Sequence, residues 1–262
     1  MEDKYTAMIE KWSLTIPELT GDEPRNVYVY VPDEFEENPD ARYPVLYMFD
    51  GQNVFFDEDA SFGKSWGMAD FLEENPLSLI IVAVECNQNP NNGRLSEYSP
   101  FNFVSPDYGR VKGRGHTTME WLVNTFKPYI DQEYPTLPER EFTFIAGSSM
   151  GGLMSLYAIS AYNHIFSRAA ALSPSIWAGP GPLDRILCRA SIAPGTVIYM
   201  DYGANEMENH RNMKRYFSKV VTRLLERNVL LNCRIVPNGE HSEASWEWQI
   251  PFFIDTLLYG MD

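Results

Sequence analysis

Residues Phe142–Ala158 read FTFIAGSSMGGLMSLYA. The apolar run Phe142-Thr143-Phe144-Ile145-Ala146 predicts a buried strand, and the small and apolar residues from Met150 onward predict a helix. Between them, Gly147-Ser148-Ser149-Met150-Gly151 fits G-x-S-x-G. A serine on so sharp a strand-to-helix turn has its hydroxyl lifted into the open on strained backbone. Strand and helix pass close on either side, so the flanking positions have little room for side chains, and Gly147 and Gly151 carry none. The helix also aims unpaired N–H groups and the positive end of its dipole at the serine, where an anion would develop. With glycine at about 7% of an average chain, the pattern arises by chance in roughly one chain in ten of this size. Its place between a strand signal and a helix signal is what gives it weight. The rival hydroxyl, Ser148, is flanked by Ala146 and Met150 and fits the steric rule less well than Ser149. The plainer reading is a glycine-rich turn with two buried hydroxyls.

Upstream, Pro44–Phe49 and Leu77–Glu85 are continuous apolar runs, as expected of strands covered on both faces. Downstream, Ala169–Leu172, Val197–Met200 and Leu231–Val236 read as further strands. Amphipathic helices are expected over Thr118–Gln132, over Glu208–Arg227 and in the C-terminal segment that presents Trp246, Ile250, Phe253 and Leu257 on one face. Shorter helices are expected over Gly67–Asn75 and Leu183–Arg189. Residues 6–16 and 26–31 alternate and predict two antiparallel edge strands. Cys86–Thr117 is the longest irregular stretch, and loops of that length are usually functional or mobile. Together these signals predict an α/β fold: a mostly parallel central sheet with antiparallel N-terminal edge strands and helices on both faces, in one domain over residues 1–262. In such sheets the loops at the C-terminal strand ends carry the site.

Composition narrows the function. Among 262 residues, 44% are hydrophobic and the net charge is −15. An acidic surface argues against nucleic acid and anionic membrane as partners, and disfavours a polyanionic substrate. Cys86, Cys188 and Cys233 are scattered and odd in number, which fits reduced thiols in a reducing compartment. The N-terminus, MEDKYTAMIEKW, has no apolar signal region, and no apolar run is long enough to span a bilayer. The expectation is a cytoplasmic protein that needs no cofactor or metal, with a homo-oligomer left open.

A serine hydroxyl needs a base to take its proton and a third group to orient that base. Of His116, His164, His210 and His241, only His241 follows the last strand in a Pro-Asn-Gly-Glu turn, where it could reach a common strand-end site. His116 is expected to cap a helix, His164 to lie on the far side of the sheet, and His210 to sit in the first turn of a long helix. The loop after Val197–Met200 offers Asp201, Glu206 and Glu208 as the acid. Asp201 is expected at the strand tip and Glu208 at the helix start, where it would stabilise the dipole. Glu206 in the turn itself is the candidate. An oxyanion needs two N–H donors. Met150, next after the serine, is one, and Gln52, after Asp50-Gly51, is the other. Trp66, Tyr98 and Trp177 are candidate walls of the substrate pocket, since aromatic rings stack on sugars and aryl groups.

The chain resembles the esterase D and enterochelin/feruloyl esterase family of the α/β-hydrolase superfamily. The resemblance is carried by Tyr47–Asn53 (YMFDGQN), Arg94–Pro100 (RLSEYSP), Gly147–Gly152 (GSSMGG), Gly203–Glu206 (GANE) and Gly239–Trp246 (GEHSEASW), in the family's order. It implies the α/β-hydrolase fold, Ser149 as nucleophile, Glu206 in the acid slot, where many members carry aspartate, and His241 as base. Members hydrolyse esters of acylated sugars, hydroxycinnamates, siderophores or S-formylglutathione, and relatives transfer acyl groups. The expected activity is therefore serine carboxylesterase chemistry on a small soluble ester. An acyltransferase is one alternative, and a catalytically silent binding or scaffold protein is another.

Overall fold

The computed structural model describes residues 9–261; the start of the first expected strand, at 6–8, lies outside the described residues. In chain order the strands are β1 (Ile9–Thr15), β2 (Pro24–Tyr30), β3 (Val45–Phe49), β4 (Ile80–Val84), β5 (Phe103–Ser105), β6 (Gly109–Val111), β7 (Thr143–Ser148), β8 (Arg168–Leu172), β9 (Val197–Gly203) and β10 (Leu230–Val236). Eight of them form one sheet in the order β1-β2-β4-β3-β7-β8-β9-β10, while β5 and β6 make a separate hairpin. Within that sheet β1 pairs with β2, and β2 with β4, antiparallel; its other pairs are parallel. The C-terminal ends of β3, β7, β8, β9 and β10 therefore lie along one edge, as the alternation of strands and helices predicts.

Burial on both faces explains the unbroken apolar runs. Along β3, Val45, Tyr47 and Phe49 pack into one core, and Leu46 and Met48 into the other. The first core is covered by helices Gly115–Trp121, Met150–Ala161, Pro180–Arg189 and Met213–Leu225, the second by Met68–Glu74 and Ile250–Leu258. Met150–Ala161 is buried on nearly every side, which is why its sequence is apolar all round rather than striped. Among the described residues, no helix is long and apolar enough to cross a membrane.

The structure differs from expectation in three places. Helix Thr118–Gln132 begins earlier, at Gly115, and passes through a π turn over Leu122–Phe126, where the Lys127 N–H reaches back to the Leu122 carbonyl. Pro128 supplies the reason: it has no N–H to donate and its ring would clash with the Asn124 carbonyl in an α turn. The long stretch after Cys86 is not loose. It contains helix Gly93–Glu97 and the β5–β6 hairpin, and Glu97 is tied to β2 by a buried bidentate pair with Arg25, at 2.8 and 3.0 Å. The long helix expected from Glu208 starts only at Met213, leaving 204–212 as a loop.

Candidate active site

β7 ends at Ser148 and the following helix begins at Met150, so Ser149 alone makes the turn, at φ 57° and ψ −117°. A non-glycine residue held there costs on the order of 1–3 kcal/mol and persists only where its surroundings fix it. Here the Ser149 N–H donates to the Leu172 carbonyl, and its own carbonyl accepts the Ser175 N–H, both at 2.9 Å. A Cβ on Gly147 would stand 2.7 Å from the Gly151 carbonyl carbon, and one on Gly151 3.0 Å from Phe49 Cβ. Close approach is thus the reason for both glycines. Ser148 is buried within the strand.

Ser149 Oγ lies 2.9 Å from His241 Nε2, and His241 Nδ1 lies 2.5 Å from Glu206 Oε2. A carboxylate only accepts hydrogen bonds, so Nδ1 carries a proton, and in the neutral ring Nε2 is then the acceptor that faces Ser149. Glu206 is buried, and its other oxygen accepts the Gly203 N–H at 2.7 Å and the Ser173 hydroxyl at 2.5 Å. The loops meet because two glycines touch: a Cβ on Gly203 would fall 2.4 Å from the Gly239 carbonyl oxygen. The two rival acids stand apart from His241. Asp201 is buried in β9, where its Oδ1 accepts the Ser173 N–H and its Oδ2 the Tyr199 hydroxyl. Glu208 is not at a helix start; it is exposed and pairs with Lys214 at 2.9 Å.

After β3, Gly51–Asn53 forms a single 3-10 turn. Gln52 and Met150 each stand in the first turn of a helix, where the N–H has no intrahelical acceptor. Gln52 is pinned by its side chain, whose Oε1 accepts the Cys86 N–H at 3.2 Å. A Cβ on Gly51 would meet the Ala83 backbone at 2.7 Å. Asp50, left-handed at φ 60°, is gripped by Arg94 through Nε–Oδ1 (2.5 Å) and Nη2–Oδ2 (2.7 Å). A cleft of about 730 Å³ opens over Ser149 and His241. Amides line it heavily: Gln52, Asn53, Asn87, Gln88, Asn89 and Asn92. Phe62, Tyr108, Arg94, Glu243 and Trp246 complete much of the rest.

None of the three expected aromatic walls lines this cleft. Trp66 is only 2% exposed and packs behind Trp246, ring centroids 6.1 Å apart. Tyr98 is buried, with its hydroxyl accepting the Asp50 N–H at 3.2 Å. Trp177 stands behind Tyr108, on which it stacks at 6.3 Å. A core aromatic and a wall aromatic look alike in sequence, which is why composition could not separate them. Trp246 does reach the site: its ring meets His241 edge-on at 5.1 Å and its Nε1–H donates to Ser173 Oγ at 3.1 Å. His116 caps nothing; it lies inside its helix and bonds the Tyr162 hydroxyl at 2.9 Å. His210 is in the loop, not a helix, and stacks on Trp177 at 4.5 Å. Burial, and then the nearby His241, hold its pKa below the usual histidine range.

Sequence reasoning gave no role to Ser173 and Ser175. The signal was present, because Ser173-Pro174-Ser175 follows β8 at the same sheet edge. Ser175 Oγ is 3.2 Å from Ser149 Oγ. With the Ser149 proton directed at His241, Ser175 is the donor of that bond.

A family model described as "Putative esterase" matches residues 19–259. The uncharacterized protein YbbA of Bacillus subtilis is 25% identical over 201 residues, 74% of each chain. Esterase Rv1288 of Mycobacterium tuberculosis is 27% identical over 150 residues, 57% of this chain, and the match spans only 29% of that protein's length. Among solved structures, an IroE-like serine hydrolase from Shewanella oneidensis superposes with a TM-score of 0.72 at 19% identity, covering 95% of this chain and 79% of the other. The eight-stranded, mostly parallel sheet with helices on both faces is thus the α/β-hydrolase fold.

Proposed function

Because this chain belongs to the esterase family, and so to the carboxylic ester hydrolases, we propose that it is a serine carboxylesterase acting through an acyl-enzyme on Ser149. The observation that carries the reading is the continuous line from Ser149 Oγ to His241 (2.9 Å) to Glu206 (2.5 Å) at the C-terminal edge of the sheet. His241 Nε2 takes the Ser149 proton as Oγ attacks the ester carbonyl. The Met150 and Gln52 N–H groups receive the oxyanion; losing one such donor typically costs about 10²–10³-fold in rate. His241 then gives its proton to the leaving alcohol, and water repeats the sequence on the acyl-enzyme. Glu206 keeps Nδ1 protonated and stabilises the imidazolium that forms.

The proposed substrate is a small soluble ester of the acylated-sugar or aryl type. Six amide side chains in the cleft offer paired donors and acceptors of the kind hydroxyl groups use, and Phe62 and Tyr108 offer ring faces. A cytoplasmic site of action fits the three unpaired thiols. Acyl-chain length tests the substrate reading: kcat/KM should be higher for acetyl than for long-chain acyl p-nitrophenyl esters. The reverse order would contradict it.

A further inference from the structure

Glu243 has no part in the chemistry above, yet it lines the same cleft. It lies two residues beyond His241, at the first position of the short helix Glu243–Glu247, and is only 9% exposed. Its hydrogen bonds are sparse for so buried a charge: its own backbone N–H, and a long bond from Asn53 Nδ2 at 3.4 Å. A carboxylate has about four acceptor positions, so capacity is left over. Among the described residues no cation forms an ion pair with it. Arg94, the guanidinium of this cleft, is committed to Asp50 at 2.5 and 2.7 Å. Burial, and then Asp50, push the Glu243 carboxyl up, while Arg94 and His241 pull it back.

A buried carboxylate with unfilled acceptor positions is costly unless something fills them. Water can reach it while the cleft is open; a bound substrate would displace that water and must then supply the donor. We propose that Glu243 selects ester substrates that carry a hydrogen-bond donor near the scissile bond, an ammonium above all and a hydroxyl next. The inference rests on the esterase reading. A carboxylate serving only to stabilise its helix would not distinguish substrates by their donors.

The test compares 4-methylphenyl, 4-(hydroxymethyl)phenyl and 4-(aminomethyl)phenyl acetate, which differ at one substituent. Taking each kcat/KM relative to the methyl compound, and then wild type relative to variant, cancels intrinsic leaving-group reactivity. Glu243→Gln should lower the relative kcat/KM of the aminomethyl ester about 10- to 100-fold, the range for hydrogen bonds to charged groups. The hydroxymethyl ester should fall less, because the Gln carbonyl still accepts from a hydroxyl. Glu243→Asp, which keeps the charge, should retain part of the ammonium preference. Equal losses for all three esters in Glu243→Gln, with or without reduced folding, would overturn the proposal. Failure of the wild type to cleave any of the three would instead overturn the esterase reading beneath it.

Discussion

Glu206 and Glu208 are two residues apart and have the same side chain, yet their surroundings divide their roles. Glu206 is buried, with one oxygen on His241 Nδ1 and the other held by Ser173 and the Gly203 N–H. Glu208 is exposed and makes a surface pair with Lys214, a kind of contact worth little in water. Glu206→Ala should therefore lower kcat by about 10²–10⁴-fold, the range for general acid–base assistance, with Glu208→Ala close to wild type. Steady-state rates on one ester, with circular dichroism to verify folding, check this. Loss in Glu208→Ala alone would reassign the acid.

Asp201 shows what one strand imposes on a side chain. β9 carries it into the interior, where burial pushes its pKa up to about 7, with the Tyr199 hydroxyl and the Ser173 N–H pulling back and Glu206 adding to the rise. In the unfolded chain it ionises near the ordinary aspartate value of 3.8. The native state therefore binds the proton more tightly, and stability rises as pH falls from about 7 towards 4. Above about pH 7 the ionised, buried carboxylate works against the fold. Asp201→Asn should flatten the dependence of Tm on pH over that window and raise Tm most on its alkaline side. Equal loss of Tm at every pH would show that the carboxylate is needed for its hydrogen bonds alone. At this scale the sequence was partly legible. β3, β7 and the helix after Ser149 could be read because apolar runs and close-approach glycines are local signals. The start of the helix at Met213, the π turn before Pro128 and the burial of Trp66 and Tyr98 could not, because tertiary packing decides them. Ser149, Glu206 and His241 were legible because each sits in a strand-end turn. The partners that hold them, Ser173, Ser175 and Trp246, come from loops that only the folded sheet brings together.

Across the whole molecule, the parallel strands bring four loops from distant parts of the chain to one edge. They supply the turn at Gly51–Asn53, Ser149, Glu206 and His241, and the stretch from Cys86 to Leu95 lines the cleft beside them. This edge is proposed to be a serine esterase site. It is tested most directly by p-nitrophenyl acetate turnover and fluorophosphonate labelling of the wild type beside Ser149→Ala. The wild type should turn over and label, and both signals should vanish together in a folded Ser149→Ala. A folded wild type that neither hydrolyses the ester nor takes the label, or a Ser149→Ala variant that keeps both, would contradict it.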